Sequence, residues 1–500
     1  MIITVYIEMY TAHKMKGKVL QMRVCLVCEG SYPFVMGGVS SWIQMILTSF
    51  PDIEFVIWTI ATNEEEMSEY KYQLPKNVVE VRKIYLTNEK FVVSNKRVKL
   101  SKSDKLSLRS LILDDSNKAN WNEILNFFKI HKHDLVEILM SREFFEIAVE
   151  LYNRSYNRTV FSDFLWNLRS MYFPLVSIFS AEMLPANLYH SVSTGYAGVL
   201  GAVASEVFQV PFLLTEHGIY TREREEEIIK SDWVQGAFKE IWIEFFNKLS
   251  HIAYNSANEV ISLFETNKTL QIELGCPEEK IRIIPNGIDI EKFERLPQKT
   301  SSSNQFFNIG VVARIVPIKD IKTMLFAFDL VTTKIPNARL VICGPNDEDM
   351  EYYNECVSLI NELEIKGVLF EGRVDVSKYL SDFDIMLLTS ISEGQPLAVL
   401  EGMAARIPQV ATNVGSCQEL LYGKNDDFLG QAGLIVPIMN IQSIADAIVE
   451  LAEDINLRLQ MGNVGYNRVK KYYQKSTFLD AYYELYKKYG EGEKIGRNRL

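Results

Sequence analysis

Glu393-Gly394-Gln395-Pro396-Leu397-Ala398-Val399-Leu400-Glu401 sets two carboxylates on either side of a change in sequence pattern. Upstream, Asp384-Ile385-Met386-Leu387-Leu388-Thr389 is short, apolar and suited to a buried strand. Downstream, 397–405 is rich in helix formers and begins directly after a proline. The stretch therefore predicts a strand-to-helix turn, the unit from which parallel, doubly wound α/β sheets are built. Such sheets bind ligands at the carboxyl ends of their strands, where Glu393 falls, and Glu401 follows more than one turn into the helix. Free amides and the positive dipole end at the helix start suit a phosphate or diphosphate, leaving the two acids to hydrogen-bond sugar hydroxyls. An acid before a helix also complements the dipole with no ligand present, and mid-helix glutamates are commonly solvated, so the pair alone leaves both readings open.

Working outward, strand patterns at 307–312, 338–343, 368–370, 385–388 and 409–411 alternate with helical ones, predicting a doubly wound domain over 305–465. Before it, 296–304 is polar and turn-rich, as an interdomain linker is. A first α/β domain is expected over 22–295, with strands at 23–28, 55–59, 188–190 and 211–215 and helices through 47 and over 197–208. Residues 62–180 lose the alternation and read as a long, charged and aromatic, mostly helical insertion. Residues 466–500 read as a C-terminal helix docking on a domain, expected to be the first, with its lysines in solvent.

The chain has 500 residues, 47% hydrophobic and 23% charged, which is enough for two or three globular domains. A formal net charge of −11 excludes a general basic footprint for nucleic acid, so an anionic ligand must meet local cations. Six scattered cysteines fit a reducing compartment without disulfides; Cys25 and Cys28 have redox spacing but stand in a strand-like run. Residues 1–21 read as an extension without a signal-peptide h-region, and because the fold pattern begins only at Met22, Met15 and Met22 are alternative starts to Met1. No apolar run reaches membrane-spanning length.

Arg314 and Lys319 follow the first strand of the second domain, where two cations could neutralise a leaving diphosphate; such a pair in a loop is more commonly solvated. Gly37-Gly38 lies between the first strand and its helix, where missing side chains let a phosphate or sugar approach. His217, in Thr215-Glu216-His217-Gly218, stands just after a strand and could hydrogen-bond a sugar hydroxyl. Glu216 and the acidic run 222–227 are candidates for a second substrate, although a solvated helix face explains the run. Asp382-Phe383-Asp384 has the form of a metal-binding Asp-x-Asp, yet it directly precedes a buried strand, and the acids at 347–349 suit a helix start. No metal is expected.

Taken together, the Glu393 to Glu401 motif, Ile284-Pro285-Asn286-Gly287-Ile288-Asp289 with Phe293, Arg314 with Lys319, and 404–414 with Gly415 and Glu419 resemble the retaining GT-B glycosyltransferases of family 4. The opening 25–42, Thr215 to Tyr220 and Ser392-Glu393-Gly394-Gln395-Pro396 resemble the cytosolic members that build bacterial Pel exopolysaccharide. The resemblance covers about 22–60 and 185–485, and implies two Rossmann-like domains facing across a cleft. It implies transfer of a sugar, of glucose or N-acetylhexosamine type, from a UDP-sugar to a carbohydrate acceptor, with neither cofactor nor metal. By the same resemblance His217, Glu393, Arg314 and Lys319 are catalytic. Gly37, Gly38, Arg373, Val374, Gly394, Gln395, Pro396, Leu397 and Glu401 bind the donor, Glu401 at the ribose and 373–374 at the base. Gln395 replaces the aromatic or glycine common after Glu-Gly in the family. The implied setting is cytoplasmic, at the inner membrane face beside a polysaccharide synthase. Open alternatives are an epimerase, a starch- or lipid-type transferase, and a silent UDP-sugar-binding subunit.

Overall fold

The computed structural model describes residues 22–67, 69–86, 98–231, 233–234, 236, 238–296, 306–424 and 427–491. The extension 1–21 lies outside them, as does the expected linker apart from Leu296. The chain forms two compact units, one from the residues up to Ile261 with Leu270–Arg282 and the chain from Tyr482, the other from Ser262–Thr269 and Ile283–Ala481.

The first unit is built on β1 (Arg23–Glu29), β2 (Glu54–Ala61), β3 (Val78–Tyr85), β4 (Leu188–Ser191), β5 (Phe212–Glu216), β6 (Glu259–Ser262) and β7 (Ile281–Ile283), in the order β3-β2-β1-β4-β5-β6-β7. The pairings across β3, β2, β1, β4 and β5 are parallel. Val24 to Cys28 of the interior strand β1 are wholly buried, which is why that strand reads as an unbroken apolar run. One expectation is corrected: the 62–180 stretch is not simply an insertion, because it supplies β3. That strand lies at the sheet edge, mostly half-exposed, and carries Glu80, Arg82 and Lys83, so no buried period marks it. The helices from Lys102–Leu113 to Phe161–Ser180 share one core with the sheet, Phe128, Phe144, Phe164 and Phe179 joining Trp58 and Tyr189.

The second unit contains β8 (Phe307–Val312), β9 (Ala338–Cys343), β10 (Val368–Gly372), β11 (Ile385–Leu388), β12 (Gln409–Thr412) and β13 (Gly433–Val436), all parallel, in the order β10-β9-β8-β11-β12-β13. β13 escapes a sequence reading because it is four residues long and opens on Gly433, where an added Cβ would lie 2.2 Å from the Gln409 carbonyl oxygen. The strand order reverses between β8 and β11. At such a switch point the helices depart to opposite faces and leave a crevice.

The second unit takes in residues 283–296 together with the strands that follow them. The amide of Ile288 donates to the Tyr473 carbonyl at 2.9 Å, and the Lys475 amide donates to the Ile288 carbonyl at 2.9 Å. Gly287 permits this approach, since a Cβ there would lie 2.5 Å from the Gln474 carbonyl oxygen. The expected C-terminal helix is in fact two, Ile455–Tyr472 and Lys475–Gly490, with these contacts at the break between them. Tyr482 and Tyr486 of the latter belong to the first unit, where Thr215 Oγ1 and Tyr482 Oη are 3.1 Å apart and His190 Nδ1 and Tyr486 Oη 2.8 Å. All six cysteines are free and buried. No helix among the described residues is long and apolar enough to cross a membrane.

Candidate active site

The crevice of the second unit is built from the loops after β8 and β11. The first loop is tied to the neighbouring strand end by Ala313 N to Cys343 O at 3.1 Å and Ile315 N to Pro345 O at 3.0 Å. It ends in the turn Pro317–Lys319, and Asp320, at φ +50°, caps the helix Ile321–Lys334 through Thr323 N. The second loop is stitched to the first: Ile391 N donates to Ile318 O at 2.9 Å, and Thr389 Oγ1 donates to Lys319 O at 2.9 Å.

This stitching brings Lys319 and Glu393 together although 74 residues separate them. Lys319 Nζ donates to Glu393 Oε1 at 2.5 Å, and Ser390 Oγ donates to the same oxygen at 2.6 Å. The two charged side chains are only 17% and 12% exposed, so their attraction is less screened than that of a surface pair. Beside them lies a cavity of about 150 Å³, lined by Lys319, Thr389, Ser390, Glu393, Pro396 and Leu397, the last opening the helix Leu397–Ala404. Cation, carboxylate and helix N-terminus thus surround one hollow at the switch point.

Glycine makes the turn possible. Gly415 has φ +51°, and a Cβ there would lie 2.2 Å from the Gly394 carbonyl oxygen, which also accepts from Ser416 N at 3.0 Å. Gly415→Ala is expected to cost about 1–2 kcal/mol in backbone conformation alone and to push the Glu393 turn aside. Thermal melting together with a turnover assay checks this: a fall in kcat beyond the loss of folded protein is expected. Gln395 is buried, and its Oε1 accepts from Asn286 N at 2.6 Å. Glu401 is half-buried, and burial pushes its carboxyl above the usual range, with Lys292 pulling the other way.

Two further expected contacts lie outside the Lys319–Glu393 pair. Arg314 lies in the same loop as Lys319 but pairs with Glu348 Oε2 at 2.7 Å, half-exposed. Arg373 and Val374 follow β10, at the same end of the sheet but two strands from β8, and Val374 packs against the cluster holding Leu400 and Met403. Asp382 and Asp384 stand at the opposite, amino end of β11, where Asp384 Oδ2 accepts from Asn308 N at 2.7 Å. Their metal-like spacing serves a strand entry. Among the described residues no group of three or more His, Cys, Asp and Glu side chains is placed to hold a metal.

In the first unit Gly37 and Gly38 open the helix Gly38–Ser49 with nothing within 4 Å of a Cβ at either position, so their backbone is bare. Trp42 of that helix packs edge-on against His217, with ring centroids 4.9 Å apart. Burial pushes the His217 imidazole down to about 4, and its Nε2 has no hydrogen-bond partner among the described residues. Glu216 is corrected from a second-substrate candidate to an internal brace. It is buried, and accepts from Tyr254 Oη at 2.7 Å, Gln271 Nε2 at 2.9 Å and Tyr220 N at 3.2 Å, fixing the turn that carries His217. Residues 225–227 are exposed, as a solvated helix face is.

Because His217 is neutral in the folded state, unfolding takes up a proton below its ordinary value of about 6.5. Its contribution to stability is lost as pH falls from about 6.5 towards about 4. His217→Gln should therefore lose up to about 1.4 kcal/mol less per pH unit than wild type across that window. Denaturant unfolding of both proteins at pH 7 and pH 5 measures the difference, and parallel losses would contradict it.

Sequence reasoning missed Thr389, Ser390 and Thr412, the hydroxyls that build the turn, because single Ser and Thr residues carry no periodic signal. The one available hint was their clustering at the carboxyl ends of neighbouring strands.

Comparison with known proteins gives this geometry its class. Residues 307–454 match the family model of glycosyl transferases group 1. The chain is 27% identical over 321 residues to the UDP-Gal:alpha-D-GlcNAc-diphosphoundecaprenol alpha-1,3-galactosyltransferase of Escherichia coli, covering 59% of this chain and 76% of that protein. It is 26% identical over 313 residues to the capsular polysaccharide biosynthesis glycosyltransferase CapM of Staphylococcus aureus, covering 60% and 77%. The fold is that of Anabaena Alr3699/HepE, solved in complex with UDP and glucose, at TM-score 0.56 and 15% identity over 93% of this chain and 99% of that one. The molecule is a glycosyltransferase of the GT-B fold, with two Rossmann-like units. It belongs to the family DUF3492, a domain of unknown function, whose model matches residues 22–279, more than half of the chain.

Proposed function

We propose that the protein transfers a sugar, of glucose or N-acetylhexosamine type, from a UDP-sugar to a carbohydrate acceptor with retention of configuration, in the assembly of a Pel-type exopolysaccharide. The observation that carries this reading is the Lys319–Glu393 pair beside the hollow at the β8–β11 switch point. A diphosphate seated there meets Lys319 and the amides that open the helix Leu397–Ala404, while Arg314 lies within the same loop. UDP as the nucleotide is supported by the E. coli relative named for UDP-Gal and by HepE, solved with UDP and with UDP-glucose.

In this reading Glu393 hydrogen-bonds the transferred sugar, and Glu401, on the helix that Leu397 opens, takes the ribose hydroxyls. The acceptor hydroxyl attacks on the face from which the diphosphate departs, and the leaving diphosphate accepts its proton. Lys319 and Arg314 stabilise the charge that develops there, an electrostatic contribution of the kind that usually dominates such catalysis. Asp382 and Asp384 take no part, lying at the far end of β11. His217 and the bare backbone at Gly37 and Gly38 are proposed as donor contacts from the first unit, and backbone at 373–374 as the contact to the base. The setting proposed is the cytoplasmic face of the membrane, beside a polysaccharide synthase.

Retention is tested by incubating the enzyme with a UDP-sugar and an oligosaccharide acceptor and reading the new anomeric signal by NMR. An α-linked product from an α-linked donor is expected; a β-linkage, or a UDP-sugar epimerised without transfer, overturns the reading.

A further inference from the structure

We infer that Ser390 is the positioning residue for Glu393, holding its carboxylate in place when nucleotide draws Lys319 away. The inference rests on the proposed transfer reaction. Glu393 Oε1 accepts two hydrogen bonds, from Lys319 Nζ at 2.5 Å and from Ser390 Oγ at 2.6 Å. The two donors differ in what they do once a sugar nucleotide arrives. A diphosphate is the stronger competitor for an ammonium group, so Lys319 is shared with it or surrendered to it. A lone carboxylate at the hollow would then be free to rotate, and a sugar contact off by an ångström loses much of its value.

Ser390 is built to prevent this. Its residue is 2% exposed, and its carbonyl oxygen accepts from Thr412 Oγ1 at 2.7 Å, so β12 fixes its backbone. The preceding residue is fixed from the other side, Thr389 Oγ1 donating to the carbonyls of Lys319 at 2.9 Å and Asp320 at 3.2 Å. The hydroxyl carries no charge, so a phosphate has little electrostatic claim on it. Lys319 therefore answers to the nucleotide, while Ser390 stays with the carboxylate.

A double-mutant cycle tests this on the full chain. Ser390→Ala, Glu393→Ala and the double variant are compared for kcat, for KM of the UDP-sugar and for inhibition by UDP, with thermal melting to establish folding. Ser390→Ala is expected to lower kcat by on the order of 10-fold, the loss of about one hydrogen bond to a charged group. It should leave UDP inhibition within about twofold of wild type. In the Glu393→Ala background it should cost nothing further, because a residue that acts through Glu393 has nothing left to position. Equal losses in both backgrounds, or wild-type kcat in Ser390→Ala, overturn the inference while leaving the transfer reaction standing. Undiminished transfer by Glu393→Ala overturns the reading of Glu393 itself. Ser390→Thr, which keeps the hydroxyl, should restore kcat if it melts with wild type; a well-folded Ser390→Thr with the defect of Ser390→Ala also overturns the inference.

Discussion

Glu393→Ala is expected to lower kcat by on the order of 10²- to 10³-fold while leaving UDP binding intact or tighter. The two halves of this expectation have different origins. Removing the carboxylate removes a contact to the reacting sugar, and a polar contact that strengthens in the transition state is worth about 3–4 kcal/mol in sites of this kind. It also releases Lys319 from its 2.5 Å ion pair, leaving that ammonium more available to the diphosphate. Isothermal titration with UDP beside turnover under saturating donor separates the two. A variant that loses UDP binding in proportion to kcat would mean that Glu393 shapes the nucleotide pocket rather than contacting the sugar.

Arg468→Met is expected to have the largest effect on stability. Arg468 is wholly buried, and its Nε donates to Asp427 Oδ2 at 2.5 Å. Its Nη1 donates to the carbonyls of Leu421 at 2.7 Å and Leu420 at 3.1 Å, and Nη2 to that of Gly430. The guanidinium therefore closes the C-terminal end of the helix Cys417–Tyr422, whose last carbonyls have no partners within the helix itself. Substitution by methionine fills the space but leaves the Asp427 carboxylate buried without its cation. That imbalance costs about 3–5 kcal/mol. The melting temperature should fall by on the order of 10 °C. Lys118→Met, which breaks an exposed pair with Asp115, should leave it unchanged. The same helix begins beside Ser416, whose amide holds the Gly394 carbonyl, so loosening it also loosens the Glu393 turn.

Buried patterns made the central strands legible. β8, β9 and β11 lie where their apolar runs placed them, since a strand covered on both faces has to be apolar throughout. β3 was not legible: half-exposed at an edge, it needs no apolar period, and its charges resemble those of a surface helix. The candidate site divides in the same way. Glu393 and Glu401 announce themselves by spacing around a helix start, and Lys319 by its place after a strand. The meeting of Lys319 with Glu393 depends on the sheet order, which sets β8 beside β11, and on the hydroxyls of Thr389 and Ser390, which nothing local in the sequence distinguishes from surface residues. The pairing of Arg314 with Glu348 was hidden for a similar reason, because it joins loops after β8 and β9 that only the fold makes neighbours.

The most direct test of the account is acceptor-dependent release of UDP. Purified wild-type protein, given a panel of UDP-sugars with and without an oligosaccharide acceptor, is predicted to release UDP from one donor class chiefly when acceptor is present, in step with acceptor elongation. Conversion of one UDP-sugar into another without release, or tight UDP binding with no turnover on any acceptor, would contradict it.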